Sequence, residues 1–336
     1  MIVSRSRFAA LAVVTASLAT TVSCRGDDAQ VSLTLVVYDS FPTADTPLNA
    51  ALAEFAADTG ISVSLAVAGD AGTMVSKAVL TSGNPEGDVM WGVDNTLLSA
   101  AVDGGVFDGD PTAVDTGDVC VNYDIEWFAD RGVEPPTTLD DLIDPQYADL
   151  LVVENPSTSS PGLAFLLATV AGTDDWKAYW SALRANGVEV VDSWTTAYYD
   201  RFSGAGGGAN GGDRPLVVSY ASSPPAEVVY ADPPRDDAPT GVSTGTCFRQ
   251  TEYAGVLRGT DHVDAARQLV DFLVSERFQR ELPLTLFVNP VNPDVALPDV
   301  YQRFAVVPDA PFTVPPEDIA ANRDQWQDEW TDIVLR

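Results

Sequence analysis

Aromatic and hydroxyl side chains recur in this chain at the ends of apolar, strand-like runs. Tyr38 follows the run at 31–37, Trp194 and Tyr198 follow the one at 188–191, and Tyr220 closes the one at 216–220. Ser159 and Ser222 stand at similar junctions. Aromatic faces attract flat cations by stacking and cation–π contact, about 0.5–2 kcal/mol each. Any single ring of this kind more often packs a core; the set, at strand ends, reads as a ligand cleft. Residues 155–162, Asn-Pro-Ser-Thr-Ser-Ser-Pro-Gly, offer a second chemistry. Hydroxyls and free backbone N–H groups at a helix start suit an anion, whereas plain N-capping needs one hydroxyl. The consecutive Tyr198-Tyr199 offers a third, because phenolates are hard oxygen ligands for iron; adjacent tyrosines on a helix ordinarily face apart.

Catalysis has little to work with. His262 is the one histidine. It sits in a polar Asp-His-Val-Asp setting at a helix start, which denies a Ser-His-Asp or Cys-His relay its buried base. No His/Cys spacing suits zinc. Carboxylate pairs can hydrolyse glycans, but among 49 acidic residues any pair is expected by chance. The loop at 203–213 is glycine-rich yet lacks the Gly-Lys-Ser/Thr ending of a phosphate-binding loop.

The elements that position these residues begin as β-α-β-α-β. Apolar, β-branched runs at 31–37, 61–67 and 88–93 alternate with helical spacing at 48–57, 72–80 and 97–102. That order implies a parallel sheet covered by helices, with ligands beyond the carboxyl ends of its strands. Tyr38, Asp39, Ser40, Asp70, Asp94 and Asn95 all fall at such ends. Further strands are expected at 119–123, 150–154, 188–191, 216–220 and 248–256. Helices are expected near 139–143 and at 163–170, 176–183, 263–274 and 319–334. Five prolines between 224 and 239 make that stretch loop-rich.

The N-terminus is an export signal: Arg5 and Arg7, an uncharged apolar run at 8–19, small residues, then Cys24 before a polar Arg-Gly-Asp-Asp. The run is roughly a dozen residues, against about 20 for a membrane span. Residues 1–24 are thus a signal peptide, and Cys24 reads as a lipoprotein acylation site, although Thr21 stands where a Leu is usual. The mature chain would be extracytoplasmic and held at the membrane by its lipid alone. Two cysteines remain, Cys120 and Cys247, and an even pair outside the cell predicts a disulfide. A formal charge of −31 repels nucleic acid. Roughly 310 residues exceed what one small core needs, so two lobes are expected.

Taken in order from Val31 to the C-terminus, several motifs resemble the thiamine-binding substrate-binding proteins of ABC importers. They are Tyr38-Asp39-Ser40-Phe41, residues 88–99 (DVMWGVDNTLLS), residues 155–162 (NPSTSSPG), Ser193-Trp194 with Tyr198, residues 216–224 (LVVSYASSP), and the tail at 315–330. The resemblance implies an α/β, two-lobed periplasmic-binding-protein fold of type II, the "Venus flytrap", with mixed sheets under helices. Residues 31–115 plus 250–336 would form one lobe and 116–249 the other, the chain crossing near Asp115 and Gly245. Thiamine, or its mono- or diphosphate, would lie in the cleft. Tyr38, Trp194 and Tyr220 would contact its rings, and Asp70 its cationic or amino end. Ser159, Ser160 and Gly162 would hold its hydroxyethyl or phosphate tail. Tyr198, Ser222 and Phe287 complete the expected site. The sequence departs from the family at Ala226, where an aromatic is usual, and at Phe287, where a Trp is. The implied protein is a non-enzymatic monomeric receptor without cofactor or metal, serving a permease and its ATPase. A ferric-ion receptor of the same fold, through Tyr198-Tyr199, is the alternative; an extracellular hydrolase or a structural lipoprotein lies further off.

Overall fold

The computed structural model describes residues 31–205 and 212–336. The leader with Cys24, and most of the glycine-rich loop, lie outside the described residues. Among the described residues, nine strands form one sheet: β1 (Ser32–Val37), β2 (Ser62–Val67), β3 (Val89–Asp94), β4 (Thr112–Asp124), β5 (Leu151–Glu154), β6 (Glu189–Val191), β7 (Leu216–Tyr220), β8 (Thr240–Val256) and β9 (Asn289–Pro290). Their order is β2-β1-β3-β8-β4-β7-β5-β6, with β9 on β4. The outer groups β2-β1-β3 and β7-β5-β6 are parallel within themselves, while β4 and β8 run antiparallel to their neighbours.

The opening β-α-β-α-β is as the periodicity predicts, and its helices start and stop on local signals. Helix Pro47–Thr59 opens with a capping box between Thr46 and Asn49, carries Pro47 in its first turn, and ends at Gly60 in the left-handed region. Helix Ala71–Leu80 is capped by Asp70, whose carboxylate accepts from the Ala71 N–H. Helix Val263–Leu273 buries the expected stripe of Ala266, Leu269, Val270 and Leu273. Helix Ser160–Gly172 is buried through Thr169, as its unbroken apolar run requires.

The centre of the sheet differs from expectation. The short strands read at 119–123 and 248–256 are parts of a 13-residue β4 and a 17-residue β8. These pair from Thr112↔Ala254 to Asp124↔Thr240 and so pass through both parallel groups. Asp115, Gly117 and Asp118 in β4, and Gly241 and Gly245 in β8, interrupt the apolar pattern; neighbouring strands supply the pairing that local propensity does not. The register shifts between Ala113 and Asp115 and between Val119 and Val121 interrupt this ladder. Cys120 and Cys247 form a disulfide that ties β4 to β8 across a separation of 127 residues.

Two smaller differences follow from local chemistry. The expected helix near 139–143 is a 3-10 turn, Asp140–Ile143. The proline-rich stretch contains a helix, Pro224–Val229, with its two prolines in the first turn, where no N–H is missed. The closing helix Pro316–Val334 sets Trp330 edge-on to Trp180, ring centroids 5.4 Å apart. No helix among the described residues is long and apolar enough to cross a membrane.

Candidate functional site

A cavity of about 240 Å3 opens at the carboxyl ends of β1, β2, β6 and β7. Seven residues expected in the site line it: Tyr38, Asp70, Ser160, Trp194, Tyr198, Tyr220 and Phe287. Ala226 lines it too, so the wall carries a methyl group where the resemblance leads one to expect a ring. Three expected residues do not line it. Ser159 is buried beside Asp70. Ser222 is buried beside Tyr301. Gly162 packs on β5, where an added Cβ would collide with the Glu154 carbonyl oxygen; its lack of a side chain serves helix–strand packing.

Asp70 joins the two parallel groups. One carboxylate oxygen accepts from the Ala71 N–H at 2.6 Å, and the other from the Trp194 N–H at 3.0 Å. Thr73 N–H donates to the Thr158 carbonyl and Thr195 Oγ1 to Asp39 close by. Burial pushes the Asp70 carboxyl up to about 6; the neighbouring Asp39 charge adds to this, and the two N–H donors oppose it.

Next to Asp70 the wall becomes aromatic. Trp194 stacks on Tyr198 at 4.9 Å with planes 18° apart, and Tyr199 stands edge-on to it at 5.6 Å. The Trp194 indole N–H donates to Ser219 Oγ, which is in turn bonded to Ser223 Oγ. The turn Thr196–Arg201 is a π-helix. This wider turn lets both tyrosines line the cavity, unlike an ordinary α-turn. They differ in setting: Tyr198 is 2% exposed and Tyr199 43%. The Tyr198 hydroxyl donates to Glu227 Oε1 at 2.9 Å. Burial, reinforced by the Glu227 carboxylate, holds both phenols above their ordinary range.

Tyr38 lies over β3, where Gly92 leaves room for it. A Cβ at Gly92 would collide with the Tyr38 ring, and Gly92 has a φ of 108°, which a side chain resists. Phe287 also lines the cavity. It is held in the left-handed region at a φ of 54° and is edge-on to Tyr230 at 5.7 Å. Such a backbone for a bulky residue marks a position fixed by its surroundings. Tyr230 lies one helical turn beyond Ala226, so a ring missing at one position is present four residues on.

Glu252, Tyr230 and Thr285 also line the cavity, and none of them stands in a motif that points to a site. Glu252 left no signal in the sequence: along β8, Gln250 and Glu252 alternate with less buried residues, and here the polar residues are the buried ones. His262 is exposed and outside the cavity. Among the described residues, no group of three or more His, Cys, Asp or Glu could hold a metal ion.

A mixed sheet with two shared long strands, and a cavity at strand ends, is the architecture of type II periplasmic-binding proteins. Residues 101–227 match the family "Bacterial extracellular solute-binding protein". The thiamine-binding periplasmic protein of Salmonella typhimurium is 28% identical over 319 residues, covering 90% of this chain and 94% of that one. The solved structure of a periplasmic thiamin binding protein superposes with a TM-score of 0.80 at 26% identity, covering 93% and 99%. A Bordetella ferric binding protein shares the fold at a TM-score of 0.61 and 18% identity, covering 90% and 98%. The chain is thus similar to bacterial extracellular solute-binding proteins over residues 101–227, and to thiamine-binding periplasmic proteins over most of its length.

Proposed function

We propose that this protein captures thiamine outside the cytoplasm and hands it to an ABC importer, without catalysing a reaction. One observation carries the proposal: a cavity walled by Tyr38, Trp194, Tyr198 and Tyr220 on which three carboxylates, Asp39, Asp70 and Glu252, converge. Flat rings suit the pyrimidine and thiazolium, and carboxylates suit the cationic and amino ends. The likeness to thiamine-binding relatives supports the same ligand. Residues 31–115 with 250–336, and residues 116–249, would be the two lobes that close on it, with β4 and β8 as the crossing strands. Cys24 would carry the lipid that holds a monomeric receptor near its permease.

The ferric alternative asks for phenolates at Tyr198-Tyr199. The Tyr198 hydroxyl instead donates to a carboxylate, and both phenols are pushed towards the protonated form. The test is the melting temperature with thiamine, its monophosphate, its diphosphate and ferric citrate. A true ligand adds about 2.7 kcal/mol of stability at a hundredfold excess over its dissociation constant. A rise with a thiamine compound is expected. A rise with iron alone would transfer the assignment to iron, and no rise would remove both.

A further inference from the structure

Glu252 is the one carboxylate of the cavity wall that no helix cap or turn explains. Asp70 caps a helix and holds the Trp194 N–H, and Asp39 accepts from Thr195. Glu252 lies within β8, is 5% exposed, lines the cavity, and its Oε2 has no hydrogen-bond partner. Its direct register partners are Asp94 on β3 and Asp115 on β4, so three acids stand in a row across three neighbouring strands. Like charges directly opposite one another destabilise a sheet. Asp94 is taken up by the Thr96 and Leu97 N–H groups and by Gln250. The Trp91 indole lies between the other two. Asp115 accepts from it through Oδ2, and it approaches Glu252 as well, yet Oδ1 of Asp115 is buried without a partner, like Oε2 of Glu252. Among the described residues, no lysine, arginine or histidine lines the cavity to offset them.

The serine-rich start of helix Ser160–Gly172 does not reverse this sign. Asp70 lies beside Ser159, and Glu154 is fully buried at the end of β5 where Gly162 packs, with neither carboxylate oxygen bonded. A phosphate there would meet carboxylates and no base.

We propose that Glu252 is the buried counter-charge of the ligand's cationic ring, and that the cavity therefore favours the unphosphorylated monocation over its phosphate esters. The inference rests on the thiamine proposal above. Burial, with the Asp115 and Asp94 carboxylates beside it, raises the Glu252 carboxyl well above its ordinary range, so the ligand-free fold favours the neutral acid; an aromatic cation entering beside it displaces that proton and pairs with the carboxylate. An added diphosphate brings its negative charges into the same acidic cavity.

The experiment is calorimetric titration at pH 7.5 of wild type, E252Q and E252D with three probes. They are thiamine, thiamine diphosphate, and 3-deazathiamine, the uncharged isostere of the thiazolium compound. Wild type is expected to bind thiamine at least about tenfold more tightly than either other probe. E252Q is expected to lose about tenfold or more for thiamine and less than about threefold for the neutral isostere, so the preference for charge collapses. Melting curves report whether each variant folds; if E252Q does not, E252D must bind thiamine more weakly while keeping a preference for charge. Equal or tighter binding of the diphosphate by wild type overturns the inference, as does an E252Q or E252D protein with the wild-type preference and affinity. Failure of wild type to bind any thiamine compound is a different outcome, and removes the functional proposal itself.

Discussion

The two walls of the cavity differ in kind. One, from the ends of β1 and β2 and from β8, carries Asp39, Asp70 and Glu252; the other, from the segment after β6 and the end of β7, carries Trp194, Tyr198, Tyr199 and Tyr220. The acidic wall is held by caps and strand pairing, and the aromatic wall by ring stacking and the Ser219–Ser223 hydroxyl pair. The walls are tied to each other where the Trp194 N–H donates to Asp70 and Thr195 to Asp39, but the side chains that face the ligand differ in chemistry and so in role. The rings set how much flat surface a ligand buries, and the acids set what charge it must bring. Substitutions on the two walls should therefore fail differently.

The largest effect is expected at Trp194. W194A removes the ring that stacks on Tyr198 and faces Tyr220. Loss of a buried aromatic anchor costs about 2 kcal/mol or more, roughly thirtyfold in affinity. Titration should show a loss for neutral ligands as well as charged ones, with the charged ones losing the cation–π contact in addition. A loss confined to charged ligands would contradict the division between the walls, and an unchanged affinity would remove Trp194 from the site.

Asp70 should show its effect through pH. Asp39 lies near it, Glu154, Glu252, Tyr38 and Tyr220 sense its charge, and the Ala71 and Trp194 N–H groups partly offset its burial. Its carboxyl is raised to about 6, so the ligand-free fold favours the neutral acid. The stability it contributes is complete below about pH 4, is lost as pH rises through about 6, and amounts to about 2–3 kcal/mol at most. Asp115, raised to about 7, acts in the same sense, so the difference between wild type and D70N isolates Asp70. Melting temperatures at pH 4.5, 5.5 and 7 should fall more in wild type than in D70N. Cation binding should release a proton within that window, seen as a buffer-dependent enthalpy. Parallel curves for the two proteins would show that Asp70 does not titrate there.

Gly92 tests the acidic wall without touching an acid. G92A forces a Cβ against the Tyr38 ring at a backbone angle that L-residues resist. A cost of about 1–3 kcal/mol in stability is expected, with Tyr38 displaced and ligand affinity lowered. Wild-type melting and affinity would mean that Tyr38 has room to move.

Much of this site was legible because strand ends can be read locally. An apolar run followed by Tyr38 or Tyr220, or a turn ending in Asp70, carries its position in its own neighbours. Glu252 was not legible for the opposite reason. A polar residue inside a strand faces solvent by default, and Glu252 is buried because β3 and β4, distant in sequence, flank β8 on both sides. The lengths of β4 and β8 were hidden in the same way, behind glycines and aspartates that only partner strands make regular. The serines at 157–160 misled in part. Thr158 Oγ1 donates to the Asp192 carbonyl and Ser160 accepts from Gln250, so much of the cluster holds loops together and only Ser160 reaches the cavity. The π-turn that brings Tyr198 and Tyr199 to one cavity has no signature in residue types.

The smallest effect is expected at Tyr198, and it separates the two ligands best. Y198F keeps the ring that stacks on Trp194 at 4.9 Å and deletes only the hydroxyl that donates to Glu227. If the aromatic wall acts through its faces, thiamine affinity should change by less than about threefold, and stability should fall by about 1 kcal/mol for the lost hydrogen bond. A phenolate ligand to iron has no substitute in phenylalanine, so a ferric site would lose its metal and its colour with the same change. If the Y198F protein still holds thiamine, the tyrosine pair serves as surface, with Glu227 fixing the ring's tilt. If Y198F abolishes all ligand response, the site was using the oxygen, and the division of the cavity into a wall of rings and a wall of charges falls with it.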